Sequence, residues 1–200
     1  MMHIPSSMQM PLEQAHALIE AFSFGVLVSD GLQATHLPFL LERDEGEYGA
    51  LYGHFARANP HWRDRDGQKV LTIFNGPHAY ISPTWYAGKP AVPTWNYAVV
   101  HVEGTLELLD SSTTNDILDR TLAKYEPELL ADPDTLSDAL RDRLLPAIVG
   151  IRIRIDAIHG KAKLGRHRSP EDQAGVDAGL RHSDDPQARQ LWRYMQTIPT

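Results

Sequence analysis

AIVGIRIRIDAI, residues 147–158, is the stretch on which the reading of the fold turns. Ile151, Ile153 and Ile155 alternate with Arg152, Arg154 and Asp156, the period-two pattern of a strand with one buried and one wet face. Upstream, residues 96–109 (NYAVVHVEGTLELL) alternate over a longer span. Residues 69–75 (KVLTIFN) predict another strand, broken at Gly76-Pro77, with extended chain resuming over 78–82. Nearer the N-terminus, 24–29 (FGVLVS), 34–41 (ATHLPFLL) and 48–55 (YGALYGHF) read as three more. Asp30-Gly31 makes a turn between the first two, and Pro38 marks an edge or a bulge because proline cannot donate to a ladder. Helical spacing occupies 11–22, 113–125, 135–144, 170–180 and 186–195. Strands joined by short turns favour antiparallel pairing. The pattern predicts an α+β fold with six or seven antiparallel strands in a closed or nearly closed barrel and helices at its periphery.

Two hundred residues without a linker or repeat suit one domain, 1–200, whose C-terminal helices begin at about 169. The chain has no cysteine, which excludes disulfides, thiolate metal centres and a thiol nucleophile, and fits a reducing compartment. Residues 1–14 lack the basic and apolar regions of a signal peptide, and no stretch approaches the ~20 apolar residues of a membrane span, so a cytoplasmic protein is expected. A net charge of −7 has the wrong sign for tight binding to nucleic acid. The dense positive run Arg152, Arg154, Lys161, Lys163, Arg166 and Arg168 reads either as a local patch or, more simply, as solvated strand faces. None of the ten histidines falls in a metal-binding spacing, and no nucleophile elbow, dinucleotide fingerprint or phosphate loop is present.

Two segments carry chemistry. In 53–62 (GHFARANPHW) a strand ends in polar groups and a proline opens a short helix. Backbone N–H groups there, with Arg57, His54 and Asn59, suit a phosphate; on spacing alone the plainer alternative is a helix cap beside a surface arginine. In 74–97, Tyr80, Trp85, Tyr86, Trp95 and Tyr97 lie among stiffening prolines. They suit a flat ligand, a protein interface or ordinary core packing.

Taken in order, ATHLPFLL, GHFARANPHWR, FNGPHAYISPTWY, VPTWNYAVVHVEG and a final K-x-x-x-x-R-S-P-E-D-x-x-x-V-x-x-G-L resemble the PaiB-like family of FMN-binding negative transcriptional regulators, from about residue 4 to residue 180. The resemblance implies the split β-barrel shared with pyridoxamine-phosphate oxidase-like flavoproteins, and a homodimer with FMN at the subunit interface. It places His54, Arg57, Ala58 and Asn59 at the FMN phosphate, with His61 and Trp62 nearby, and Thr35 and His36 beside the isoalloxazine. Tyr80, Trp85, Thr94, Trp95 and Asn96 complete the pocket or cross the dimer interface, and Lys163 and Arg168 are available to a phosphate. Where the family reads close to K-x-S-Q-N-R, this chain has Gly165, Arg166 and His167 in place of the serine, glutamine and asparagine. The implied roles are a nicotinamide-dependent reductase of a flavin or small molecule, or a flavin-sensing regulator with no recognisable DNA-binding motif. Haem in place of flavin is a further alternative. No residue stands out as a catalytic acid or base.

Overall fold

In the computed structural model, which describes residues 2–198, the period-two segments become seven strands. These are β1 (Phe24–Ser29), β2 (Gln33–Pro38), β3 (Leu40–Glu42), β4 (Ala50–Ala56), β5 (Lys69–Ile81), β6 (Thr94–Leu108) and β7 (Ile148–Lys163). Their hydrogen-bonding order is β2-β1-β5-β6-β7-β4-β3, and the pairs β1–β2, β1–β5, β3–β4 and β4–β7 run antiparallel. The two ends of that order, β2 and β3, are separated in the chain by Phe39 alone. A sheet whose opposite edges are joined through one residue must curl until those edges approach. Because they do not pair, the barrel is split rather than closed.

Two expectations are corrected here. The strand expected over 34–41 is two strands, because the chain changes partner at the buried Phe39: Gln33–Pro38 pairs with β1, in a register that the Phe39 N–H bond to the Ser23 carbonyl at 2.9 Å continues, and Leu40–Glu42 pairs with β4. Pro38, which has no N–H to offer, sits at the end of β2. The break expected at Gly76-Pro77 does not occur, and β5 runs on through it. Instead the alternation slips by one residue, with Gly76 and Pro77 both buried, so the prolyl nitrogen falls at an irregularity of the pleat. A Cβ at position 76 would lie 2.9 Å from Leu18 Cδ1 and 3.0 Å from the Ala98 carbonyl oxygen, so only glycine fits there without adjustment.

Five α-helices and several short 3-10 turns accompany the strands among the described residues; the α-helices are α1 (Leu12–Ala21), α2 (Ser111–Tyr125), α3 (Asp138–Leu144), α4 (Pro170–Arg181) and α5 (Pro186–Thr197). α4 and α5 both carry proline in the first turn behind a capping side chain; the Ser169 Oγ accepts from the Asp172 N–H and the Asp185 carboxylate from the Gln187 N–H. α3 starts later than the pattern predicted, at the Ser137 cap. None of the described helices is long and apolar enough to cross a membrane.

The chain divides into two compact units. One, residues 19–73 and 102–158, holds β1 to β4 and part of every other strand; its core includes Leu27, Phe39, Leu51, Phe55, Ile151 and Ile153, all essentially sealed from solvent. On β7 the alternating arginines are matched by acids. Arg152 bonds Glu45 at 2.8 Å and Glu107 at 3.1 Å, and Arg154 bonds Asp156 at 2.8 Å, so this face is an ion-pair network and not a positive patch. The other unit, residues 2–18, 74–101 and 159–198, is built around Ile81, Tyr86, Leu164, Val176, Leu180 and Leu191, which join the end of β5 to α4 and α5.

Candidate functional site

In the first unit the chain leaves β4 at Ala56, turns, and enters the short 3-10 helix Pro60–Trp62. The turn is fastened from inside. The Asn59 carbonyl oxygen Oδ1 accepts from the His61 N–H at 3.0 Å, and Asn59 Nδ2 donates to Thr35 Oγ1 at 3.2 Å. The His61 ring, 4% exposed, lies between Thr35 Oγ1 at 2.7 Å on Nδ1 and Ser29 Oγ at 2.8 Å on Nε2. One direction of proton donation satisfies every group: Asn59 donates to Thr35, Thr35 to Nδ1, Nε2–H to Ser29, and Ser29 to the Asp30 carbonyl at 3.4 Å. His61 is therefore the neutral Nε2–H tautomer, and its ring packs 5.5 Å from Phe55 in the barrel core.

Outside this anchor, Arg57 reaches the turn that leads into β7. Its backbone N–H bonds the Ala147 carbonyl, Nε the Pro146 carbonyl, and one terminal nitrogen the Ile148 carbonyl at 2.8 Å. Its guanidinium lies 5.8 Å over the Trp62 ring, whose Nε1–H bonds the Arg57 carbonyl at 3.1 Å. A cation held by two carbonyls and a ring is preorganised and still exposed. Ala58 sits at the exposed tip of the turn, and its N–H has no partner among the described residues. A fixed arginine beside an open backbone donor fits an anion.

The remaining residues expected at a cofactor are distributed as follows. His36 projects from β2 and stacks on Phe24, ring centroids 6.0 Å apart, while Thr35 beside it points the other way into the His61 anchor. His54 is on the opposite face of β4 from Phe55 and lines an apolar cavity of about 290 Å³ with Leu118, Leu122, Leu144 and Ile148. The structure thus brings Thr35, Arg57, Ala58 and Asn59 to one turn and turns His36 and His54 away from it. In the other unit, Tyr80 and Trp95 form an exposed edge-on pair with centroids 6.3 Å apart, and Lys163 Nζ donates to Thr94 Oγ1 at 2.6 Å and to the Trp95 carbonyl at 2.9 Å. Trp85 is used in packing against α4. No cluster of three or more metal-ligating side chains occurs among the described residues. Sequence reasoning missed Ser29 altogether. Its one signal is its place at the end of a strand just before Asp30-Gly31, too common an arrangement to single it out.

Burial, with the Arg65 charge as a smaller cause, lowers the His61 pKa below its ordinary value, and burial alone lowers that of His54. The unfolded chain therefore takes up protons near pH 6.5 that the folded chain refuses until lower pH. The contribution of both rings is complete above about pH 6.5 and is lost as pH falls through the folded values. Urea midpoints should fall between pH 7.5 and 5.5, and the double variant His54→Phe, His61→Gln should flatten that slope.

The chain matches the family model described as "Putative FMN-binding domain" over residues 2–157. It is 34% identical to "Protease synthase and sporulation protein PAI 2" of Bacillus subtilis, over 98% of this chain and 97% of that protein. It is 31% identical to an uncharacterized protein of Emericella nidulans, over 74% of this chain and 75% of that one. Among solved structures it superposes on the flavocytochrome Anf3 of Azotobacter vinelandii with a TM-score of 0.58, at 16% identity over 86% of this chain and 78% of that one. On an FAD and heme binding protein of Mycobacterium smegmatis the TM-score is 0.59, at 19% identity over 81% and 76%. Both superpositions agree with the split-barrel topology traced above. The chain belongs to the PaiB-like family of FMN-binding domain proteins.

Proposed function

We propose that this protein binds FMN, with the phosphate at the turn after β4. The observation that carries the reading is the construction of that turn in a chain of this family. Asn59, His61, Thr35 and Ser29 bond one another and hold it rigid, while Arg57 and the Ala58 N–H are left to meet an anion. On this reading Thr35 and Asn59 are positioning residues, and Arg57 and Ala58 touch the ligand. When bound, FMN supplies hydride or electron transfer through its ring system. The protein's own residues hold the phosphate and orient the ring.

Tyr80, Trp95 and Lys163 in the other unit, and His36 and His54 in this one, are carried in the proposal as further cofactor contacts. The whole chain then serves as a single flavin-binding domain, with α4 and α5 as its C-terminal part. The exposed aromatic pair Tyr80 and Trp95, 48% and 51% exposed, supports a homodimer with flavin at the subunit interface. A cytoplasmic setting is part of the proposal, and the cysteine-free sequence fits the reducing compartment it implies.

Arg57→Gln should lower FMN affinity about tenfold or more, the scale of one charge-assisted hydrogen bond. Because Arg57 also ties down two carbonyls, FMN titration is paired with thermal unfolding of the FMN-free variant. Unchanged affinity in a folded variant would remove Arg57 from the site. A reductase and a regulator both remain compatible with a bound flavin, and oxidation of NADH or NADPH by the FMN-loaded protein with a small-molecule acceptor favours the first. The heme binding of the Mycobacterium smegmatis protein motivates one control, a Soret band after incubation with haemin.

A further inference from the structure

A second cavity, of about 290 Å³, lies wholly within the unit that contains α4 and α5. Asn96 lines it, is 3% exposed, and its side-chain amide has no hydrogen-bond partner among the described residues. An amide on so buried a residue, unpaired by the protein and open to the cavity, offers a donor and an acceptor to a ligand there. Gly165 faces that amide; a Cβ there would stand 3.5 Å from Asn96 Nδ2, an ordinary contact, and it is the left-handed φ of +74° that favours glycine.

The charges around the cavity have an unusual relation. Arg168, Asp172 and Asp177 all line it, yet no ion pair joins any of them among the described residues. Each is nevertheless held in place. The Arg168 guanidinium lies 4.5 Å over the Tyr86 ring. Asp172 Oδ1 accepts from the Gly88 N–H at 3.0 Å, and Asp177 Oδ1 accepts from Trp192 Nε1 and Gln196 Nε2, both at 2.9 Å. Opposite charges fixed around one cavity without meeting are completed by a guest that carries both signs. Leu164, Val176 and Met195 supply an apolar wall beside them.

We propose that this cavity binds a small zwitterion, an α-amino acid with an apolar side chain. The ligand carboxylate meets Arg168, its ammonium meets the acidic side, and Asn96 bonds one of the two polar ends. The volume sits near the lower end of the roughly 300–1,000 Å³ of small-molecule sites, which suits a ligand of this size. The inference goes beyond the flavin reading and stands independently of it.

The test uses the full chain and three matched probes: L-leucine, N-acetyl-L-leucine, which lacks the positive charge, and L-leucinamide, which lacks the negative one. Saturation-transfer NMR and calorimetric titration read their binding, with and without added FMN, while the visible spectrum reads FMN separately. L-leucine is expected to bind in both states, and each analogue to bind at least about tenfold more weakly. Asn96→Ala and Arg168→Gln should each weaken L-leucine by a similar factor in proteins whose thermal unfolding stays cooperative. Absence of L-leucine binding at concentrations on the order of millimolar, or equal binding of the three probes, would overturn the proposal whatever the variants do.

Discussion

Gly175→Ala should destabilise the helical unit by about 3 kcal/mol, although helix propensity taken alone favours alanine by about 1 kcal/mol. A Cβ at 175 would lie 1.9 Å from the Trp85 carbonyl oxygen, a backbone atom that cannot move without displacing the 3-10 turn Pro83–Trp85. One helical turn later the obstacle is different. A Cβ at 179 would lie 2.3 Å from Trp85 Cδ2 and 2.5 Å from Cε2, both in the side chain. Double-mutant cycles separate the two cases. Trp85→Leu should relieve much of the cost of Gly179→Ala, because it removes the obstructing ring, and little of the cost of Gly175→Ala, because the carbonyl remains. Stabilisation by either alanine in the wild-type background, read from urea midpoints, would show that α4 does not sit against Trp85 as described.

His61→Ala is the second large effect, again about 3 kcal/mol. It leaves a cavity beside Phe55 and removes one hydrogen-bond partner each from Thr35 and Ser29, and each term alone is worth of the order of 1–3 kcal/mol. His61→Gln keeps part of the bonding and should cost less. If the turn after β4 presents the FMN phosphate, His61→Ala should also weaken FMN at temperatures where the barrel remains folded. Arg57→Gln differs from it in weakening FMN with a smaller loss of stability. A His61→Ala protein as stable as wild type would mean that Asn59 and Thr35 hold the turn unaided.

The barrel was legible because its strands alternate. Ile151, Ile153 and Ile155 reveal one buried face without help from any partner, and the capped, proline-led starts at Pro170 and Pro186 are equally local. The seam was not. Residues 34–41 form two strands because Gln33–Pro38 pairs with β1 and Leu40–Glu42 with β4, a change of partner that no local pattern reveals. Gly76-Pro77 misled for the same reason, since only the packing of Leu18 and Ala98 around Gly76 keeps the strand continuous.

At the candidate site the sequence pointed to the turn after β4, whose residues the fold uses in different ways. Asn59, expected at the cofactor, bonds Thr35 and the His61 N–H within the turn, contacts that no local pattern shows. His54 lies two residues from the end of β4, where strand parity turns it toward α2 and away from Arg57. Ser29 became visible only through its bond to His61. The departure at Gly165, Arg166 and His167 falls in the helical unit, where Gly165 and Arg166 line a cavity with its own unpaired amide.

The most direct test of the central claim is the visible absorption spectrum of the purified protein, taken after FMN is added and the excess removed. A retained flavin spectrum, near one FMN per chain and diminished in Arg57→Gln, is the predicted result. A folded protein that emerges colourless, with the same thermal unfolding curve before and after FMN, would contradict it.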